Sequence, residues 1–418
     1  MSVACDLLVV GGGPAGIEAA CAAARHGLSV TIVDEAPQTA ERRRRLASGV
    51  VTACFDHIVW SVSPGFRVDA LGPEGAVSWQ ARAVIAATGA QERIVPFPGW
   101  TLPGVTGLAA APIKPGALTL VAGQGPHLFA AAMAILQAGG RVAAVVDLAS
   151  REEWPADEPT VWPADVPVLH RHAISRVTEA AGDQLLATLT VVDETGRPVT
   201  GQARYLRVDA VMVGNGFTPS TDITRLLRVA HHYDGLRGGW VPTLDGACRT
   251  TLPGLYVAGD AAGLGGAAAP DGELAGLTAA LDLGALSAEA HAREAGPTRR
   301  CAGVMARLMA LRPAQVAAIP AETIICRCEG VTRAQIDAAA AEGAKTVNQL
   351  KAWTRCGMGS CQGRICGDVA GALLAGDAGR REAAGLFTGR TPFRPLPLSQ
   401  LAGEVDYAAL TLPPPAPL

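Results

Sequence analysis

A strand–glycine-turn–helix–strand unit at the N-terminus, a second one after residue 117, and cysteines gathered near the C-terminus predict an α/β protein. The expected architecture is two Rossmann-like dinucleotide-binding domains, the second inserted in the first, then a small helical metal-binding domain and a Pro-rich tail. At 418 residues the chain can build about two to three domains with real cores. Hydrophobic residues make up 49% and charged ones 17%, which excludes a disordered chain. A net charge of −3 gives no electrostatic reason to expect a nucleic acid or an anionic membrane as partner. Ten cysteines in a chain of this size suggest a reducing compartment with a subset committed to a cofactor, not a small disulfide scaffold.

Ala4 to Val10 is an apolar run leading into Gly11-Gly12-Gly13-Pro14-Ala15-Gly16, followed by helix-forming residues to His26, Gly27 as C-cap, and a second strand ending in Asp34. Strand, G-x-G-x-x-G, helix, strand and acid therefore fall within the span that the dinucleotide fingerprint requires. Gly11 permits the tight turn, Gly13 lets backbone approach a pyrophosphate, Gly16 lets helix and strand pack closely, and Asp34 is placed for ribose hydroxyls. The Arg42–Arg45 run reads as solvated surface. Arg82 to Ala87 is a further strand, followed by Thr88-Gly89-Ala90. Pro115 to Gly140 contains no Asp, Glu, Lys or Arg, but Gly123, Gly125 and Pro126 break it into strand, turn and helix, so no transmembrane segment is expected. Here Gly123-Gln124-Gly125-Pro126-His127-Leu128 puts Leu128 at the third glycine position, and Asp147 ends the next strand. A nicotinamide site, NAD(P), and an adenylate-only or degenerate pocket are both compatible with that pattern.

Trp154 to Pro167 reads as a surface excursion, and His231 and His232, with no ligand partner at suitable spacing, as surface histidines. Leu255 to Ala258 is a strand entering Gly259-Asp260-Ala261-Ala262-Gly263. An acid at a strand end before small residues that open a helix suits flavin binding, Asp260 taking the ribityl hydroxyls. The strand pattern begins almost at once, leaving no room for a signal peptide, and a cytoplasmic protein is expected. A peripheral contact with an inner membrane stays open.

Cys326-Arg327-Cys328 and Cys361-Gln362-Gly363-Arg364-Ile365-Cys366 form a C-x-C … C-x4-C set. Four soft thiolates suit an iron–sulfur cluster or zinc. Four-cysteine zinc sites usually present C-x2-C knuckles, so these spacings fit a [2Fe-2S] cluster held by Cys326, Cys328, Cys361 and Cys366 better. Cys356 is a fifth thiol, read as a non-ligand. Helices are expected over 334–342 and 345–353, and a helical linker over 305–320. Domain limits follow as 1–113 with 240–300 for the first dinucleotide domain, 114–239 for the second, 301–320 for the linker, 321–380 for the cluster domain and 381–418 for the tail. No C-x2-C or C-x4-C pair lies in either βαβ unit, which disfavours flavin-linked thiol–disulfide chemistry.

The glycine turn Gly11–Gly16, Thr88-Gly89-Ala90 and Ala258-Gly259-Asp260 resemble the FAD-binding signatures of glutathione-reductase-type flavoproteins with two dinucleotide domains. Cys326-Arg327-Cys328-Glu329 and Thr354 to Arg364 resemble the bacterioferritin-associated-ferredoxin type of [2Fe-2S] domain. With the connector Phe97 to Val105, the chain is similar over nearly its whole length to the α subunits of hetero-oligomeric flavin dehydrogenases. These act on opines, D-hydroxyproline or proline, or form cyanide from glycine. The resemblance implies a β subunit, similar to glycine and sarcosine oxidases, that holds FAD and oxidises the substrate, an FMN at the subunit interface, and in some assemblies a small ferredoxin-like γ subunit. It assigns flavin contacts to Gly11, Gly13, Gly16, Asp34, Gly259 and Asp260, and Thr88, Gly89, Gly123 and Gly125 are further candidate cofactor-binding residues. Where related proteins carry a Gly-Gly-Gln turn, this chain has Ala36-Pro37-Gln38-Thr39-Ala40, so both FAD and a bare adenine nucleotide stand as occupants of the first site.

The expected activity is that of an oxidoreductase: an electron-transfer α subunit that passes electrons from a partner's flavin through flavin and [2Fe-2S] to a quinone-linked or soluble acceptor. The alternatives are a stand-alone NAD(P)H:acceptor oxidoreductase and a non-catalytic iron–sulfur docking protein. No triad, hydrolase metal spacing or acid–base pair stands out, so no catalytic residue is assigned.

Overall fold

The computed structural model describes residues 2–46, 50–109, 114–155, 162–163, 165–295, 303–376 and 381–402. A seven-stranded sheet forms the first domain. Its order is Val51–Cys54, Val30–Val33, Ser2–Val10, Gly75–Ala86, Arg67–Gly72 and Ile58–Ser63, with Leu255–Val257 also pairing on Gly75–Ala86. The strand Ser2–Val10 pairs in parallel on both sides, Leu7 opposite Val30 and Ala83, so it is buried on both faces as its unbroken apolar run requires. Against it lies the helix Pro14–Arg25, which packs on the helix Ala268–Asp282. The two meet through small residues: a Cβ on Gly272 would stand 2.0 Å from the Ala15 carbonyl oxygen and one on Gly276 2.3 Å from that of Ala19. Close by, the Gly259–Ala262 turn that carries Asp260 follows the strand Leu255–Val257, and a Cβ on Gly259 would stand 2.9 Å from that of Ala15.

The second domain is a five-stranded parallel sheet, Val168–His170, Arg141–Asp147, Leu118–Gln124, Ala210–Asn215 and Val105–Gly107, backed by an antiparallel meander of His172–Ala180, Gln184–Val192 and Pro198–Val208. The expected limits of this domain need correcting. Val105–Gly107 belongs to its sheet, ahead of residue 114. Ile223, well before residue 240, lies in the first domain's core with Val59 and Val62. Both crossings run side by side where Phe217–Pro219 pairs antiparallel with Ala90–Glu92. A three-residue strand carries no readable periodicity, which is why the sequence does not mark it.

The cluster domain is a short hairpin, Ile324–Cys326 with Val331–Thr332, and the helices Arg333–Ala341, Val347–Thr354 and Gly367–Ala375 around Ile325, Ile336, Leu350 and Val369. The first two helices start at Thr332 and Thr346, each with a capping box completed by Gln335 and Gln349. The start of the tail also differs from expectation. Phe387 is buried against the cluster domain and Phe393 in the first domain's core. Among the described residues no helix is long and apolar enough to cross a membrane.

Candidate functional site: a thiol centre beside a dinucleotide fold

The first glycine turn keeps the geometry its sequence implies. A Cβ on Gly16 would fall 1.8 Å from the Gly11 carbonyl oxygen, so no other residue allows that approach, whereas Gly13 faces open space where a pyrophosphate would lie. Asp34 accepts from the Gly12 amide and, at 2.7 Å, from the Ala36 amide, which ties the strand end to the turn. Arg42 stands 3.4 Å from the same carboxylate and 5.4 Å from the centre of the Phe55 ring. The arginine run is therefore only partly solvated, because Arg45 also pairs with Glu18. Thr88 donates to the Ser220 carbonyl (2.8 Å), and the Gly89 carbonyl accepts from the Ser220 amide, so this pair sits at the crossing between the two domains. Asp260 is half-buried, and that burial raises its carboxyl above the usual range, with His127 working the other way. A partly desolvated acid of this kind fits a partner rich in hydroxyls. These residues fit a flavin or adenine nucleotide.

The second glycine turn is closed by the chain itself. A Cβ on Gly125 would meet the Met309 side chain at 2.8 Å, Gln124 donates to the Ala310 carbonyl (2.8 Å), and Leu308 is buried beside Trp154. Asp147, a candidate for holding a ribose, is fully buried and spends its carboxylate on the Trp154 indole N–H (2.7 Å), the Ala149 amide (3.1 Å) and the His170 ring (3.2 Å). Trp154 is thus an anchor and not a surface residue. Gly123 and Gly125 form a dinucleotide-like turn whose outer face is occupied by the linker.

In the cluster domain the thiols converge. Cys326, Cys356 and Cys366 are buried with their sulfurs within 4.8 Å of one another, and Cys328, exposed, faces Cys361. The thiols of Cys356 and Cys366 bond to the Cys326 sulfur and hold it as the thiolate, and the Gly357 and Glu329 amides add to that effect. The same contacts push Cys356 and Cys366 up. Of the four expected ligands, Cys326 and Cys366 meet in the buried group and Cys328 faces Cys361, while Cys356, expected to be a non-ligand, joins the buried group. Glycine makes the loop possible: a Cβ on Gly359 would fall 2.1 Å from that of Cys328, and one on Gly357 or Gly363 would strike the Phe387 ring at 2.6 Å. Phe387 backs the loop from a segment that reads as tail. Soft, converging, part-deprotonated sulfurs with backbone N–H donors nearby fit a [2Fe-2S] cluster.

Beside this loop opens a hollow of about 370 Å³ lined by Arg225, Lys351, Arg355 and Arg390 with Asp222, Met358 and Gln362. The loop is tied to the first domain, since Arg364 bonds Asp222 (3.1 Å) and the Phe393 carbonyl, and Gln362 donates to the Pro392 carbonyl (2.7 Å). Arg394 then reaches Glu35 at 3.1 Å, at the mouth of the first nucleotide site.

A doubly nested dinucleotide fold with a thiol centre defines a class, and the chain belongs to the pyridine nucleotide-disulphide oxidoreductase family, whose model matches residues 5–282. Residues 324–375 match the BFD-like [2Fe-2S] binding domain. Within that family the chain is 31% identical to an opine oxidase subunit of Rhizobium meliloti (strain 1021), over 96% of this chain and 99% of that one. It is also 31% identical to the hydrogen cyanide synthase subunit HcnB of Pseudomonas aeruginosa, over 94% and 97%. The L-proline dehydrogenase of P. horikoshii has the same fold, with a TM-score of 0.68 and 18% identity over 96% of this chain and 80% of that one. The resemblance read from the motifs is borne out, and the chain is an oxidoreductase of flavoprotein fold with a [2Fe-2S]-type domain. Outside the cluster domain the described cysteines are Cys5, Cys21, Cys54 and Cys248, and the buried Cys248 thiol donates to the Asp271 carbonyl at 3.8 Å.

Proposed function

We propose that this chain is the electron-transfer subunit of a multi-subunit flavin-dependent dehydrogenase that oxidises an amino acid, an imino acid or an opine. The substrate site lies on a partner subunit resembling glycine and sarcosine oxidases, and a small ferredoxin-like subunit completes some such assemblies. The observation that carries this reading is the pairing of a five-thiol centre with a cation-lined hollow that opens beside it. Arg225, Lys351, Arg355 and Arg390 suit the phosphate of an FMN held between this chain and its partner. Cys326, Cys328, Cys361 and Cys366 are the expected cluster ligands. Gly11, Gly13, Gly16, Asp34, Thr88, Gly89, Gly259 and Asp260 line the first nucleotide site, for FAD or an adenine nucleotide. When bound, flavin supplies both two- and one-electron chemistry and the cluster one-electron chemistry only, toward a quinone-linked or soluble acceptor. The closed turn at Gly123–Gly125 speaks against the stand-alone NAD(P)H oxidoreductase.

Anaerobic coexpression with a neighbouring oxidase-like subunit tests the proposal. The expected product is one complex containing flavin, iron and acid-labile sulfide, active with a redox dye on an opine, proline, a D-amino acid or glycine. A chain that purifies alone and leaves its neighbour's dye-linked amine oxidation unchanged would falsify it.

A further inference from the structure

Five thiols meet where a two-iron cluster takes four, two at each iron. They fall into two groups. Cys328 and Cys361 face one another at the outer edge, one from the hairpin turn and one from the glycine loop. Cys326, Cys356 and Cys366 form the buried group, within 4.8 Å of one another, with Cys356 and Cys366 3.9 Å apart. If the outer pair serves one iron, the other needs Cys326 and only one of the remaining two. Spacing does not choose between them, because Cys356 and Cys361 are separated by four residues just as Cys361 and Cys366 are. Nor does burial, at 0% and 1% exposure. They approach from different elements. Cys356 follows the helix Val347–Thr354 after the left-handed Arg355, and Cys366 caps the helix Gly367–Ala375.

We propose that Cys356 and Cys366 are alternative ligands beside Cys326, so that this chain keeps a reserve thiol at the buried iron. The inference rests on the reading that the centre holds a [2Fe-2S] cluster. Exchange between the two conserves charge and electrons: the arriving thiol gives up its proton, and the departing thiolate takes one. With the sulfurs already 3.9 Å apart, the exchange needs side-chain rotation and leaves both helices in place.

The test compares Cys356→Ser, Cys366→Ser, the double variant and Cys361→Ser in the full complex, purified without oxygen. Iron and sulfide per chain, the EPR spectrum of the reduced protein and the melting temperature are read for each. Both single variants at the buried iron should keep iron and sulfide within about twofold of wild type, and the one that removes the resident ligand should show a shifted EPR spectrum. The double variant and Cys361→Ser, which has no reserve, should lose at least about tenfold. Cys366→Ala, which buries no hydroxyl, together with the melting temperature keeps a folding defect from passing for ligand loss. A folded Cys366→Ser or Cys366→Ala as empty as the double variant overturns the inference alone. Wild type without iron and sulfide overturns the reading beneath it as well.

Discussion

His231 shows how far a single side chain can depart from its sequence pattern. With no ligand partner nearby in sequence, it reads as a surface histidine. In the structure Thr224 Oγ1 stands 2.9 Å from Nε2 and the Val229 carbonyl 2.7 Å from Nδ1, and burial lowers its pKa to about 4, with Arg225 and His232 adding to the shift. The folded ring therefore stays neutral over a range in which an unfolded histidine, near 6.5, takes up a proton. Between about pH 6.5 and 4 the unfolded chain binds more protons, so stability falls as pH falls, by up to ~1.4 kcal/mol per pH unit from this residue. His231→Asn should flatten that part of a melting-temperature profile. An unchanged slope would show that another group sets it. Cys356 carries the same lesson: it reads as a bystander although its spacing to Cys361 matches that of Cys366, and its packing puts it against two expected ligands.

At the scale of elements, the segments joining the domains matter most. Arg93 follows the crossing strand Ala90–Glu92 and is 3% exposed. It donates to the carbonyls of Met309 (3.0 Å) and Gly238 (2.8 Å) and pairs with Asp368 of the cluster domain at 2.8 Å. One guanidinium thus ties the first domain, the linker and the cluster domain together. Asp368 has a second cation in Arg381, whereas Asp368 is the one carboxylate given to Arg93 among the described residues. Asp368→Asn leaves buried cations uncompensated and should cost about 3–5 kcal/mol, more than Arg93→Met, after which Arg381 still neutralises the carboxylate. Thermal melts of the two variants check the order, and a larger loss in Arg93→Met would contradict it. Phe387 works the same way at the cluster loop, filling the space that Gly357 and Gly363 leave without side chains.

For the whole molecule, the question is where electrons enter. The linker helix Val304–Met309 lies on the second glycine turn, and Asp147 is spent inside its own domain. NADH in excess should therefore leave the bound flavin of the purified complex oxidised on the timescale of turnover, while the amine substrate bleaches it. Rapid bleaching by NADH in a stopped-flow experiment would show the turn open in solution. The same arrangement gives the thiol loop, the Pro392–Arg394 segment and Glu35 a continuous path of contacts from the cluster domain to the first nucleotide site.

Sequence alone determined the two βαβ units, the glycine turn with Asp34, the Gly259-Asp260 strand end and the thiol-rich domain. Each is a local pattern, in which glycine spacing, caps and hydrophobic period lie within a few tens of residues. The tertiary structure decided what depends on meetings across a hundred residues or more. Val105–Gly107 enters the second sheet beside a strand at 210, Met309 covers a turn at 125, and Phe393 fills the core of the first domain. It also decided that the second glycine turn is closed, though its residues match the motif. A motif records what a backbone can approach, and only packing determines whether a ligand or the chain's own side chain takes the place.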